Sequence, residues 1–290
     1  MLKKDRNALI AYFGLAYLIT WGFQIAGLVL ANQSGTALGN ENGFLHFLAL
    51  LDGKVNLPQL VFSFGMGPLV SAFLVLALTE GKAGLREWFA QCTKWRVAPK
   101  WYLIALALPL SFTVGGLLLG LLSTGFQPLQ FKPLLPWIDF LPFTLYMIVF
   151  TGLVEEPGWR GYALPRLQKY YTAEKASWIL GLLWGIWHIP VMIYLYREAP
   201  VIVLVTSILG LLLGTIGWTM VNTWLYNASA SVFLIILLHG WGNAVQSYFV
   251  LSTENPLAMT AYGVLPWALA AYLEKKYGKE HLAPTPRLTA

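Results

Sequence analysis

A single cysteine, Cys92, is the only thiol in the 290-residue chain. No disulfide forms within it, and no cysteine-based zinc site is possible. Charge is scarce as well. Asp, Glu, Lys and Arg make up 11% of the residues, against about 25% in ordinary soluble domains. An ordinary soluble fold is excluded on that ground, because most of its surface would be apolar. The net charge of +6 does not point to nucleic acid, since the basic residues lie in short clusters between apolar runs and form no continuous basic face. Internal repeats and a second domain are also missing.

What the chain has in quantity is apolar sequence, 57% of all residues. Taking about 20 apolar residues per crossing of the bilayer, we place spans near 8–30, 58–79, 101–123, 138 to beyond 154, 176–196, 200–221, 228–250 and 256–273. The fold class expected is all-α: a polytopic membrane protein of about eight transmembrane helices. It forms one transmembrane domain over 1–278, with a disordered cytoplasmic tail over 279–290. The first apolar stretch is too long for the core of a signal peptide, so it reads as the first span. The 13 tryptophans and 14 tyrosines suit the membrane–water interface.

The basic residues orient the spans. With the N-terminus inside, only Lys54, Lys132 and Arg197 of the 19 Lys and Arg fall outside, as the positive-inside rule demands. Both termini are then cytoplasmic. Residues 84–96 (GLREWFAQCTKWR) carry Leu85, Trp88, Phe89, Cys92 and Trp95 at helical spacing, which predicts an amphipathic helix on the cytoplasmic surface. Residues 31–57 read as a polar, mobile outer loop.

Ionisable groups inside spans are costly, and that makes them candidates for function. Glu155, Glu156 and Arg160 close the fourth span, His188 lies in the fifth, and His239 and Asn243 lie in the seventh. At 1.5 Å per residue, His188 and His239 sit about 18 and about 16 Å from the cytoplasmic end. Glu155 reaches that level if its helix continues to Pro165, with a kink at Pro157. Glu156 and Arg160, four apart with the acid first, make a favourable helical ion pair. Glu155 points roughly 100° away and lacks that partner, which suits it to proton abstraction. His239 and Asn243 share a face, and two donors side by side suit an oxyanion.

Each residue also has a plain structural reading. A lone transmembrane His or Asn often bonds across a helix contact, Glu156 with Arg160 needs no chemistry, and the stretch WILGLLWGIWH (178–188) reads as packing or lipid-facing surface. Four polar groups at one depth are a costly coincidence.

Three motifs, Glu155-Glu156-Pro-Gly-Trp-Arg160, Trp184-Gly-Ile-Trp-His188 and His239-Gly-Trp-Gly-Asn243, resemble the CPBP family of intramembrane glutamic endopeptidases. That family includes the CAAX prenyl proteases and proteins once called abortive-infection or bacteriocin-immunity proteins. The likeness covers roughly residues 60–250. It departs from the pattern at Trp184, and again at Trp159, where Phe is usual. The resemblance implies that Glu155 activates water with the help of His188, that His239 and Asn243 hold the oxyanion, and that Glu156 and Arg160 fix the site. It implies no cofactor and no metal.

The partners expected are a membrane-anchored peptide or protein substrate and the lipid bilayer, with no nucleic acid. The short loops suggest a cell (plasma) membrane, with the site opening to the cytoplasm. The competing readings are a zinc-dependent membrane protease, although no H-E-x-x-H helix exists, a non-catalytic immunity or scaffold protein, and a proton-linked transporter.

The orientation is directly testable. In a Cys92→Ser background, cysteines introduced at Lys54 and Lys132 react with an impermeant maleimide on intact cells. One introduced at Lys275 reacts only after lysis. The reverse pattern would invert the topology.

Overall fold

The computed structural model describes residues 1–290. The chain is helical throughout, without strands. Helix α1 runs over Lys3–Ser34, α2 over Asn40–Leu51, α3 over Leu57–Ser63, α4 over Gly67–Thr79, α5 over Gly81–Cys92 and α6 over Pro99–Ser123. A long rod, α7, runs over Trp137–Gln168. It is followed by α8 (Ala173–Trp187), α9 (Ile189–Leu195), α10 (Val201–Ser229), α11 (Val232–Thr253) and α12 (Pro256–Tyr277). Six of these helices are long and apolar enough to cross a membrane; counting each of the bent pairs α3–α4 and α8–α9 as one span makes eight. Leu18, Leu78, Leu141 and Ile138 stand exposed on the outside, as lipid-facing side chains do.

Local chemistry sets the boundaries. Thr172, Ser231 and Asn255 each accept, through their side chains, the free backbone N–H of the third residue of α8, α11 and α12, the usual role of an N-cap. The expected spans two and five are both broken. The first bends by 45° after Ser63 and the second by 44° at His188. In each case a proline lies near the start of the following helix, Pro68 and Pro190, where its missing N–H costs nothing.

Pro157 behaves differently from the kink expected. The rod carries on through it, with wide π turns at Ile148–Gly152 and Trp159–Ala163 on either side. Such turns absorb an interrupted hydrogen-bond ladder and often mark working sites. The Pro157 carbonyl also receives a bond from Trp88 Nε1 at 2.8 Å.

The rod is enclosed between 155 and 165, where every residue is buried. Close neighbours require glycine there. A methyl group on Gly158 would lie 2.4 Å from the Pro68 carbonyl oxygen, and one on Gly240 would lie 2.4 Å from the Ile148 backbone. Small residues that let backbones touch are the usual device for packing helices in lipid.

Two expectations are corrected, and a third is refined. The segment 31–57 is not simply a mobile loop, since it contains α2, whose Phe44 is buried against Phe143 and Tyr146. In α5, Phe89 is exposed, but Trp88 and Cys92 turn into the protein, so the helix is a cover over the rod as much as a surface element. The tail 279–290, expected to be disordered, is docked. Asn227 and Gln168 exchange amide hydrogen bonds at 2.8 and 3.0 Å and bind the backbone of His281 and Leu288, while Arg287 Nε donates to the Gln168 carbonyl at 2.7 Å. The fixing groups lie on α7 and α10, far from the tail in sequence.

Gly158→Ala should lower stability in detergent by about 1–3 kcal/mol, the usual cost of overpacking, read as thermal unfolding. Gly22→Ala, with open space around its added methyl, should leave the unfolding temperature in place.

Candidate functional site

The two carboxylates of α7 part company. Glu156 is fully buried; its Oε1 accepts Arg160 Nη1 at 2.9 Å and His239 Nδ1 at 2.7 Å. Arg160, equally buried, donates from Nη2 to Thr219 Oγ1 of α10 at 3.0 Å. One ion pair along α7 thus ties the rod to α10 and α11. Charge-assisted bonds of this kind are the strong ones. Glu156 Oε2 and Arg160 Nε stay buried without a protein partner.

Glu155 turns the other way, toward α8. Its Oε2 accepts Trp184 Nε1 at 2.8 Å and Trp159 Nε1 at 3.4 Å. Its Oε1 takes no hydrogen bond from the protein. The carboxylate has no ion-pair partner, yet it is not unsupported.

His188 stands at the α8–α9 break. Its Nδ1 lies 2.8 Å from the Trp184 carbonyl oxygen, an acceptor only. Nδ1 therefore carries the proton, and Nε2 is left as an acceptor in the neutral ring. His239 is fixed the same way round, with its Nδ1–H committed to Glu156. The Trp184 ring stands between the two imidazoles, 5.7 Å from His188 and 5.6 Å from His239 by ring centroids, with the Arg160 guanidinium 4.5 Å from its centre.

Glu155, Glu156, Arg160, His188 and His239 are thus gathered around one indole. Glu155 makes no direct hydrogen bond to either histidine. Asn243 is the outlier: one turn along α11 from His239, it donates Nδ2–H to Thr151 Oγ1 at 3.1 Å and keeps its second N–H uncommitted.

Four partners were not singled out from sequence: Trp159 and Trp184 as donors to Glu155, Thr219 to Arg160 and Thr151 to Asn243. The tryptophans had a visible signal. Trp159 lies four residues after Glu155 and Trp184 four before His188, so each shares a helical face with a site residue. The reading of 178–188 as packing or lipid surface holds for Trp178, 41% exposed, and for Trp184, packed inside at 8%, but it missed the bond Trp184 donates to Glu155. The threonines had none, because their partners sit on other helices.

Comparison with known proteins matches this same region. Residues 137–245 fit the family described as type II CAAX prenyl endopeptidase, Rce1-like. Over this region the chain is similar to the CPBP/CAAX protease family. It is 29% identical over 148 residues to the CAAX prenyl protease 2 of Methanococcus maripaludis, an alignment covering 50% of this chain and 54% of that protein. The chain therefore spans about half the length of the relative it matches. The CAAX protease match begins where α7 begins and ends within α11, so all six polar residues gathered from the sequence lie inside it.

Removing Arg160 leaves the Glu156 charge buried against a single imidazole. Arg160→Met should cost about 3–5 kcal/mol, as for other buried pairs broken on one side, with a loss of folded protein in detergent. The double variant Glu156→Gln/Arg160→Met should recover part of it. Equal stability of the single and double variants would argue that the pair does not hold the rod.

Proposed function

We propose that this chain is an intramembrane endopeptidase that hydrolyses a peptide bond of a membrane-anchored protein or peptide, with Glu155 activating the water. The observation that carries this reading is the contrast between the two glutamates. Glu156 is held by Arg160 and His239, whereas Glu155 keeps one oxygen free of protein donors beside two imidazoles. The family match over 137–245 supports the reaction class, and the name of the Methanococcus relative, a CAAX prenyl protease, supplies the substrate class carried over.

In this mechanism a water molecule lies between Glu155 Oε1 and His188 Nε2, both acceptors. Glu155 takes a proton as the water oxygen bonds to the scissile carbonyl carbon. The carbonyl oxygen becomes an oxyanion, received by His239 Nε2 and the free amide N–H of Asn243. Because His239 Nδ1–H is engaged with Glu156, Nε2 donates only if the ring is an imidazolium. Two carboxylates facing Arg160 alone leave one negative charge unbalanced, and that imidazolium neutralises the cluster. Collapse of the tetrahedral species breaks the C–N bond, and Glu155 returns its proton to the leaving amine. No acyl-enzyme forms. No metal enters the scheme.

The remaining proposals concern placement. The distribution of basic residues supports a cell-membrane protein with both termini in the cytoplasm and the site opening to that side. A single transmembrane domain over 1–278 carries the site on the spans between 138 and 250.

Glu155→Gln should abolish cleavage of an internally quenched, prenylated CAAX peptide in vesicles while leaving thermal unfolding within about 1 kcal/mol of the parent. Membrane proteomics of cells carrying the two forms should differ in peptide termini. Activity should survive exhaustive chelation. Loss of activity on chelation with recovery on zinc would favour the metalloprotease alternative, and full activity of Glu155→Gln would remove the proposal altogether.

A further inference from the structure

Two indole N–H groups converge on one oxygen of Glu155, and none reaches the other. The shorter bond, 2.8 Å from Trp184 Nε1, comes from a different helix from the carboxylate. Trp184 has little freedom to leave this position. It is 8% exposed, its ring is lodged between the imidazoles of His188 and His239 under the Arg160 guanidinium, and its own carbonyl receives His188 Nδ1. An indole N–H only donates. It therefore bonds a carboxylate oxygen with one orientation and cannot compete with Glu155 for the proton of water. Trp184 also fixes both ends of the water site at once, Glu155 through its side chain and His188 through its backbone.

We propose that Trp184 is a positioning residue for hydrolysis: its indole N–H pins Glu155 Oε2 so that Oε1, and only Oε1, faces the water shared with His188. This inference rests on Glu155 acting as the base. Catalysis depends on holding reacting groups within a few tenths of an ångström. Losing the donor frees the Glu155 side chain to rotate, and the effect falls on turnover, since the indole does not touch the substrate. Trp159, at 3.4 Å, gives a weaker bond that does not replace it.

The test replaces Trp184 by 3-benzothienylalanine, which keeps the bicyclic ring and exchanges N–H for sulfur, in the full-length chain in vesicles, with Trp184→Phe beside it. With the quenched prenylated peptide, kcat should fall roughly tenfold or more, the usual worth of a hydrogen bond to a charged group. KM and the unfolding temperature of the isostere should stay unchanged, and Trp178→Phe, on the exposed face of α8, should match the parent. A structural role for the ring would leave the isostere fully active, and that outcome, or a change confined to KM, overturns the proposal.

A substrate-free measurement accompanies it. The indole N–H resonance of Trp184, assigned by its loss in Trp184→Phe, should move upfield in Glu155→Ala; no movement also overturns the proposal. Inactive Glu155→Gln with an active isostere sinks this inference alone, whereas active Glu155→Gln sinks the mechanism beneath it.

Discussion

Burying two adjacent carboxylates inside a membrane-embedded helix bundle is the constraint around which the rest of the molecule is arranged. A carboxylate in low dielectric without partners costs several kcal/mol. Glu156 is compensated by charge, from Arg160 four residues on and from His239 on another helix. Glu155 is compensated by dipoles, from two indoles. The first arrangement locks helices together and uses up the side chain. The second supports the side chain and leaves one oxygen available. Two residues identical in type and adjacent in sequence thus come to hold different roles, because a helix turns about 100° per residue and presents them to different neighbours.

The irregular backbone near the site follows from the same requirement. Pro157 sits next to the two glutamates and interrupts the ladder of α7, yet the rod does not break. Wide turns on both sides and a bond from Trp88 to the Pro157 carbonyl absorb the interruption. The break that does occur is at His188, where α8 ends and the chain bends. There the imidazole folds back onto the carbonyl of Trp184 and leaves its other nitrogen free. Around these irregular segments the packing is tight, with Gly158 against Pro68 and Gly240 against Ile148. A rigid frame with local departures from ideal helix is how a polar site is held within a bundle whose outer surface faces lipid.

Much of this was legible in the sequence. Apolar run length found the six helices able to cross a membrane and the two bent pairs that would make eight, and the cost of intramembrane charge singled out six residues that the family match also encloses. The shortfalls have a common cause. Chain periodicity reports which residues share a face of one helix but not which helix that face meets. Trp184 looked like packing because its partner Glu155 is 29 residues away on another element. The tail APTPRLTA looked disordered because its composition is that of a linker, whereas an amide pair between Gln168 and Asn227, far from it in sequence, holds it in place. Residues 31–57 hid a short helix whose Phe44 and Phe47 pack on aromatic rings of α7.

By itself, the sequence determined the solvent this protein lives in, which stretches are apolar enough to cross it, and which few polar side chains had to be accommodated there. Hydrophobic length and the expense of buried charge are properties of local sequence, and both act before any tertiary contact exists. The four-residue spacing already pairs Glu156 with Arg160; only the tertiary structure decided that His239 joins that pair and that two indoles hold Glu155 by one oxygen. That arrangement depends on helix rotation and crossing, set by contacts such as glycine against backbone and indole against carboxylate between residues distant in the chain.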